Sequence, residues 1–232
     1  MVNVNTVYQT VLALANKEQR GYITPQEFNL FANQAQMNIF EQYFYDLNQF
    51  TRIPGNDTSY SDMVNLLEEK ISLFEKRISY NSSTNLPVDL YKIQTVEYNG
   101  KAVEYVTKKE YMEMISVPLC KPTNKKPVYV KQENKIFIVG DNATTNPSAF
   151  TINGSLSYIR KPVSPNWTYV IVDNSAIYND NASDHKHFEL HPSEQTELVN
   201  KILGYAGITL KDNSLYQIAS AEESKNVQQQ KA

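Results

Sequence analysis

Cysteine is nearly absent from this chain of 232 residues, which contains only Cys120. A single thiol cannot form a disulfide within the chain, and it cannot supply a zinc cluster built from several cysteines. Long apolar runs are also missing, since none approaches the roughly 20 residues that a membrane-spanning helix needs. The first residues, 1–5, lack the basic and apolar regions of a signal peptide. We therefore expect synthesis in a cytoplasm and no membrane partner.

A surplus of basic residues is missing as well, because the formal net charge is −3. Proteins that recognise a nucleic-acid sequence usually carry a basic surface, so that class is disfavoured, whereas a passive channel for DNA is compatible with mild acidity. The one basic cluster consists of Lys121, Lys125, Lys126 and Lys131, in and beside a proline-bounded loop. These lysines are either solvated or in contact with phosphates.

Motifs of the common enzymes are also lacking: there is no phosphate-binding loop, no dinucleotide-binding glycine pattern and no nucleophile elbow. The three histidines, His185, His187 and His191, would share one face of an extended segment, and imidazoles can ligate zinc or nickel. Their charged neighbours Asp184 and Lys186 favour a solvated strand instead. We expect no enzymatic activity, no catalytic residues and no cofactor, and keep the histidines as weak metal-ligand candidates. A histidine-based enzyme or metal-dependent binder is the alternative class.

Aromatic residues, by contrast, are abundant, since 16 tyrosines and nine phenylalanines stand against seven glycines. Aromatic side chains provide large contact areas and are enriched at protein interfaces. The composition therefore indicates either extensive interfaces with other subunits or an aromatic-rich core.

The clearest local signal is the start of a long helix at Thr24. Thr24 and Glu27 have the spacing of a capping box, in which each side chain accepts a hydrogen bond from the backbone N–H of the other residue. Pro25 takes the first helical position, where its missing N–H costs nothing. Ile23 and Phe28 stand at the positions of a hydrophobic staple. These devices agree on one boundary and predict a helix beginning there.

The body of this helix, continuing to about Asn48, is apolar around an unusually wide arc. On a helical wheel the apolar arc approaches about 200°, whereas a surface helix needs only about 100°. The helix is either covered on several sides by its own chain or packs on a neighbouring subunit as well. Under the second interpretation Phe40, Phe44 and Tyr45 are the predicted inter-subunit contacts.

The periodicity changes from helix to strand and back along the chain. Asn99-Gly100 between two alternating runs is a strong hairpin signal, and it lies within a region of short strands. We predict an α+β fold in which an N-terminal helical bundle receives a small inserted antiparallel β unit and is completed by C-terminal helices. The predicted domains are a helical bundle of residues 1–77 plus 190–211, a β-rich insertion of residues 78–189, and a C-terminal arm of residues 212–232.

The last segment begins with Asp212 as a helix cap and places apolar residues on one side of an amphipathic turn. It ends in a glutamine-rich stretch that cannot contribute to a core. This segment is either a disordered tail or an arm that becomes ordered on a partner. Leu215, Tyr216 and Ile218 are the predicted docking residues of such an arm.

Segments near both ends of the chain resemble one class of viral structural proteins. The resemblance is to the head–tail connector, or ring adaptor, proteins of crAss-like and related podovirus-type tailed phages. It is carried by Asn5–Tyr8, Ala15–Asn29, Ala32–Gln36 and the phrase from Glu189–Pro192 to Ile202–Gly207. The central strands resemble no family.

This resemblance implies a virion structural protein at the tail vertex, assembled in the host cytoplasm. Its copies would form a ring of about twelve below the portal, the closed cyclic assembly that head-to-tail contacts generate. The implied partners are other copies of the chain, the portal protein, and further tail or ring proteins. DNA would pass through the lumen during ejection without sequence-specific binding. The alternative virion role is a tail-hub or tail-fibre attachment adaptor.

Overall fold

The computed structural model describes residues 1–17, 23–52, 58–81, 85–141, 143–147, 154–173 and 175–209. In chain order the elements are α1 (Val4–Lys17), α2 (Pro25–Arg52), α3 (Thr58–Ser72), β1 (Glu75–Tyr80), β2 (Leu90–Tyr98), β3 (Lys101–Tyr105), α4 (Lys108–Ser116), β4 (Val128–Gln132), β5 (Lys135–Val139), β6 (Gly154–Arg160), β7 (Tyr169–Val172), β8 (Ser175–Tyr178) and α5 (Gln195–Thr209). Short 3-10 turns cover Pro118–Cys120 and Pro192–Glu194.

The chain divides into two compact units. One comprises Met1–Leu73 together with Pro162–Ala232 and is called the helical unit; the other, Phe74–Lys161, is called the sheet unit. The sequence prediction placed these boundaries at residues 77/78 and 189/190. In the structure, residues 162–189, including the two-stranded sheet of β7 and β8, group with the helices.

The helical unit is organised around α2, which packs against α3 and α5, while α1 also contacts α5. The capping box at the start of α2 is confirmed: the Glu27 N–H donates to Thr24 Oγ1 at 3.3 Å, and the Thr24 N–H donates to Glu27 Oε2 at 3.0 Å. Along α2 the buried stripe consists of Phe28, Ala32, Ala35, Ile39, Phe40 and Tyr43. Among the described residues, no helix combines the length and apolar character required to cross a bilayer.

The sheet unit contains a six-stranded sheet in the order β1-β6-β2-β3-β4-β5. Neighbouring strands are antiparallel except β3 and β4, which run parallel. The chain passes from β3 to β4 through α4, whose capping box between Thr107 and Glu110 is confirmed. The predicted Asn99-Gly100 turn is also present, with φ of 48° and 73° at its two residues.

The two edges of this sheet approach each other. Tyr80, on edge strand β1, accepts a hydrogen bond from the backbone N–H of Ile136, on the opposite edge strand β5, at 2.9 Å. Side chains from both edges share one core with Val96, Leu156 and other buried residues of the inner strands. The sheet therefore curls into a half-barrel around its own apolar core.

This architecture corrects the predicted fold class. The described part of the chain is mixed α/β with five helices and a curled six-stranded sheet, and a helical bundle with a small antiparallel insertion does not describe it. The prediction was wrong because hairpin signals identify only strands that are adjacent in sequence. Strand β1 carries mostly exposed residues, and its partner β6 lies about 80 residues further along the chain, so its pairing has no local signature.

Candidate protein-interaction site

The three residues of α2 that were predicted to contact another subunit occupy different environments. Phe40 is fully buried within its own chain, and Phe44 is half-buried with its ring 5.1 Å from that of Phe40. Tyr45 is 66% exposed. The other strongly exposed apolar residue of α2, Leu30, is 15 positions away, or about 22 Å along the helix. Most of the wide apolar arc is thus covered within the chain, and α2 offers isolated apolar contacts.

A larger apolar surface lies on the ribbon, the name used here for the antiparallel pair β7 and β8. The register opposes Val170 to Ile177, which places these two residues and Val172 on one face. Each of the three is about half exposed, and Ile171 on the other face is 68% exposed. The sequence did not reveal this surface, because residues 167–171 were predicted only as one of several short strands of the insertion. The uninterrupted apolar run at residues 170–172, directly before Asp173 in the sequence, was the available signal.

The base of the ribbon is held by a stack of aromatic rings. The Trp167 ring stacks with that of Tyr169, at 5.7 Å and 22°, and with that of Tyr178, at 5.8 Å and 26°. Its indole N–H donates to Asn5 Oδ1 of α1 at 3.0 Å. The Trp167 backbone exchanges two hydrogen bonds with the Asn29 side chain of α2, at 2.8 and 3.1 Å. The ribbon therefore projects from a base that two helices fix in place.

Two of the three histidines belong to this base. His185 lies 3.1 Å from the hydroxyl of Tyr178, and its ring meets that of His187 edge-on at 4.6 Å. His187 Nδ1 accepts the backbone N–H of Val4 at 3.3 Å, which requires this nitrogen to be unprotonated. Burial lowers the pKa of His187, and the neighbouring His185 and the amino terminus lower it further. These contacts tie the segment before α5 to the start of α1.

The third histidine lies apart, at the turn that precedes α5. His191 Nδ1 accepts the backbone N–H of Ser193 at 3.3 Å and lies 2.8 Å from its hydroxyl. Within the described part of the chain, no group of three or more His, Cys, Asp or Glu side chains could hold a metal ion. The geometry gives the three histidines hydrogen-bonding roles and does not bring them together as ligands.

An apolar cavity opens at the far end of α2. It has a volume of about 390 Å³. Its apolar lining residues are Phe50, Leu66 and Leu67, and its polar ones are Asp46, Glu69, Lys70, His191 and Ser193. Asn29 binds the ribbon base and Asp46 lines the cavity, so the two features are separated by 17 residues of one helix, or about 25 Å. The helical unit thus carries an apolar projection near one end of α2 and an apolar recess near the other.

Charged groups are buried beside this cavity. Lys70 Nζ lies 2.5 Å from Glu194, whose side chain is 5% exposed, and the ammonium stands 5.5 Å from the centroid of the Tyr43 ring. The Tyr43 hydroxyl is buried and has no hydrogen-bond partner among the described residues. Burial raises the pKa of Tyr43, and the nearby carboxylates of Glu194 and Glu197 raise it further. This cluster connects α2, α3 and the start of α5.

The predicted docking residues of the C-terminal arm, Leu215, Tyr216 and Ile218, lie outside the described residues. Comparison with known proteins adds no constraint on the function, since neither a protein-family model nor a curated protein sequence matches this chain.

Proposed function

We propose that this chain is a structural subunit of a virion, forming a ring at the portal–tail junction of a tailed phage through which DNA passes. The proposal joins the resemblance of the two ends of the chain to connector proteins with one structural observation, the exposed apolar ribbon. The protein would act by assembly with copies of itself and with the portal and further tail proteins, and not by catalysis.

The ribbon carries this proposal because it is poorly explained as part of an isolated monomer. A two-stranded sheet is marginal in water by itself. Here it also exposes Val170, Ile171, Val172 and Ile177, which gain free energy when an apolar partner removes them from water. The only charged residue between Tyr169 and Tyr178 is Asp173. Such a projection is suited to insertion into another protein.

The recess at the other end of α2 supports a second copy of the chain as that protein. A ring requires a head-to-tail contact, in which one surface of each subunit binds a different surface of its neighbour. The ribbon and the cavity lined by Phe50, Leu66 and Leu67 are two such surfaces, both apolar and about 25 Å apart along α2. Ribbon insertion would anchor a larger interface, since permanent assemblies bury about 2,000 Å² or more.

The test is the mass and shape of the purified full chain at micromolar concentration, by light scattering and negative-stain electron microscopy. We expect closed rings. Ile171→Lys should dissociate them, because a charge at the ribbon tip would have to be buried without a partner. The matched control is Val88→Lys, which places the same charge on an isolated valine that is 99% exposed and lies in the sheet unit.

A wild-type chain that remains a folded monomer would overturn the proposal. Rings that survive Ile171→Lys with undiminished stability would leave ring formation standing but would refute the ribbon as its anchor. A monomer that binds another virion protein would favour the tail-hub or fibre-attachment role. Rings of the expected size should also be visible at the tail vertex of the particle.

A further inference from the structure

A second cavity, in the sheet unit, gathers positive charge. It has a volume of about 730 Å³, and four of its lining residues are lysines: Lys101, Lys121, Lys125 and Lys126. Among the described residues that line it, Glu104 alone is acidic. Lys101 is the first residue of β3 and precedes Lys121 by 20 residues, so the fold brings it to the lysines of the loop. Lys131, which belonged to the predicted basic cluster, does not line the cavity.

The four lysines of this cavity have no acidic partner among the described residues. All four are exposed to solvent. Within the described part of the chain, none of them takes part in an ion pair. The chain as a whole has a formal charge of −3, so the positive charge of this cavity is opposite in sign to the net charge of the protein. A concentration of positive charge on an acidic protein attracts anions locally.

The loop that carries most of these lysines is fixed by its own hydrogen bonds. Thr123 and Lys126 exchange two backbone hydrogen bonds, at 3.2 and 3.0 Å. Asn124 and Asp141 exchange two more, each from backbone N–H to side-chain oxygen, at 2.9 and 3.2 Å. Pro122, at the start of the turn, is buried. The turn is therefore ordered in advance, so that binding an anion requires little reorganisation of the backbone.

We propose that this cavity binds the phosphate backbone of double-stranded DNA without sequence preference. Lysine binds phosphate as a point charge, and several lysines around one open cavity match a repeating anion better than a single small one. The described lining residues include no aromatic ring, whereas sites for single strands stack bases on aromatic side chains. They also include no Arg, Asn or Gln, the residues that recognise purine edges most often. This inference is independent of ring formation, which does not require the subunit to hold DNA.

The test measures binding of a mixed-sequence duplex to the full chain by fluorescence anisotropy at several salt concentrations. Four phosphate contacts predict that the association constant falls about 150-fold between about 50 and 200 mM salt, from a slope of about −0.9 per contact. Lys125→Gln with Lys126→Gln should reduce that fall to about 12-fold, because two contacts are lost. The matched control is Lys108→Gln with Lys109→Gln, an adjacent pair of exposed lysines at the start of α4 that does not line the cavity. The control should keep the full salt dependence.

Cys120 supplies an independent measurement at the same place. It is exposed, it lines the cavity, and it is the only cysteine of the chain. Bound duplex should slow alkylation of Cys120 in the wild-type protein, and the Lys125→Gln, Lys126→Gln pair should restore the unprotected rate.

Several outcomes would overturn the proposal. No binding to duplex at about 50 mM salt would do so, as would an equal loss of binding in the two lysine pairs. Tighter binding of a single strand than of a duplex would refute the preference for duplex. Protection of Cys120 by an acidic polypeptide but not by duplex would assign the cavity to a protein partner. Hydrogen exchange of the strand amides in each variant establishes that the sheet unit remains folded.

Discussion

The hydrogen bond between Tyr80 and Ile136 directly links the two edges of the curled sheet, and Tyr80→Phe removes it. The Tyr80 side chain is 3% exposed and Ile136 is fully buried, so water does not replace the lost oxygen at the surface. The phenyl ring fills the same space as the phenol ring, so no cavity is created. A buried N–H without a partner costs about 1–3 kcal/mol. Because the substitution also removes the buried hydroxyl, we expect a net loss of about 1–2 kcal/mol.

The assay has to report the stability of the sheet unit separately from that of the helical unit. Its one tryptophan, Trp167, belongs to the helical unit, so tryptophan fluorescence during urea unfolding follows that unit. The sheet unit is followed by hydrogen exchange of its strand amides, including that of Ile136. A loss of 1–2 kcal/mol corresponds to about 5- to 30-fold faster exchange where exchange follows the unfolding equilibrium. The fluorescence transition should move less than this exchange indicates, because it reports the helical unit.

The matched control is Tyr105→Phe, which removes the same hydroxyl from a residue of the same unit that is 54% exposed. Surface substitutions of this kind change stability by no more than about 0.5 kcal/mol. If Tyr80→Phe falls within the same limit, and if the Ile136 amide exchanges at the wild-type rate, this hydrogen bond does not hold the edges together and the reasoning is refuted.

Three further predictions concern other parts of the fold. Gly154→Ala should destabilise the sheet unit by about 1–3 kcal/mol or prevent its folding, because a Cβ would clash with the backbone oxygen of Glu97; hydrogen exchange of the strand amides measures this. Glu194→Gln should destabilise the helical unit by about 1–3 kcal/mol, less than for a fully buried ion pair because the Lys70 side chain is 23% exposed, and tryptophan fluorescence in urea would detect it. The pKa of His187 is lowered below its ordinary value of 6.5, so the unfolded chain takes up this proton first as the pH falls. Stability of the helical unit should therefore be lost as the pH falls below about 6.5 and level off below the folded pKa, and His187→Gln should remove this contribution to the pH dependence of the fluorescence melting temperature.

Part of the fold was predictable because its causes lie within a few residues. The capping boxes at Thr24 and Thr107 have both partners three residues apart, and the Asn99-Gly100 turn needs only residues that tolerate a positive φ. Strand β1 was not predictable in this way, since its order depends on β6. The curl was not predictable either, because it depends on contacts between β1 and β5.

The candidate site was also predictable only in its short-range features. Periodicity predicted that α2 is more apolar than a surface helix requires, but it could not show which neighbours cover it. Packing by the rest of the helical unit buries Phe40 and leaves Tyr45 exposed. The ribbon became visible as a surface only when its register and its base on Trp167 were known.

By itself the sequence determined where α2 begins, how wide its apolar arc is, which residues turn the β2–β3 hairpin, and that one basic loop stands out on an acidic chain. These are short-range properties, decided by backbone geometry and side-chain chemistry over a few residues. The tertiary structure alone decided the meeting of the sheet edges, the exposure of the ribbon and the placing of Lys101 beside the basic loop. Each of these depends on which distant segments exclude water from one another, and that choice is made by the packing of the whole unit.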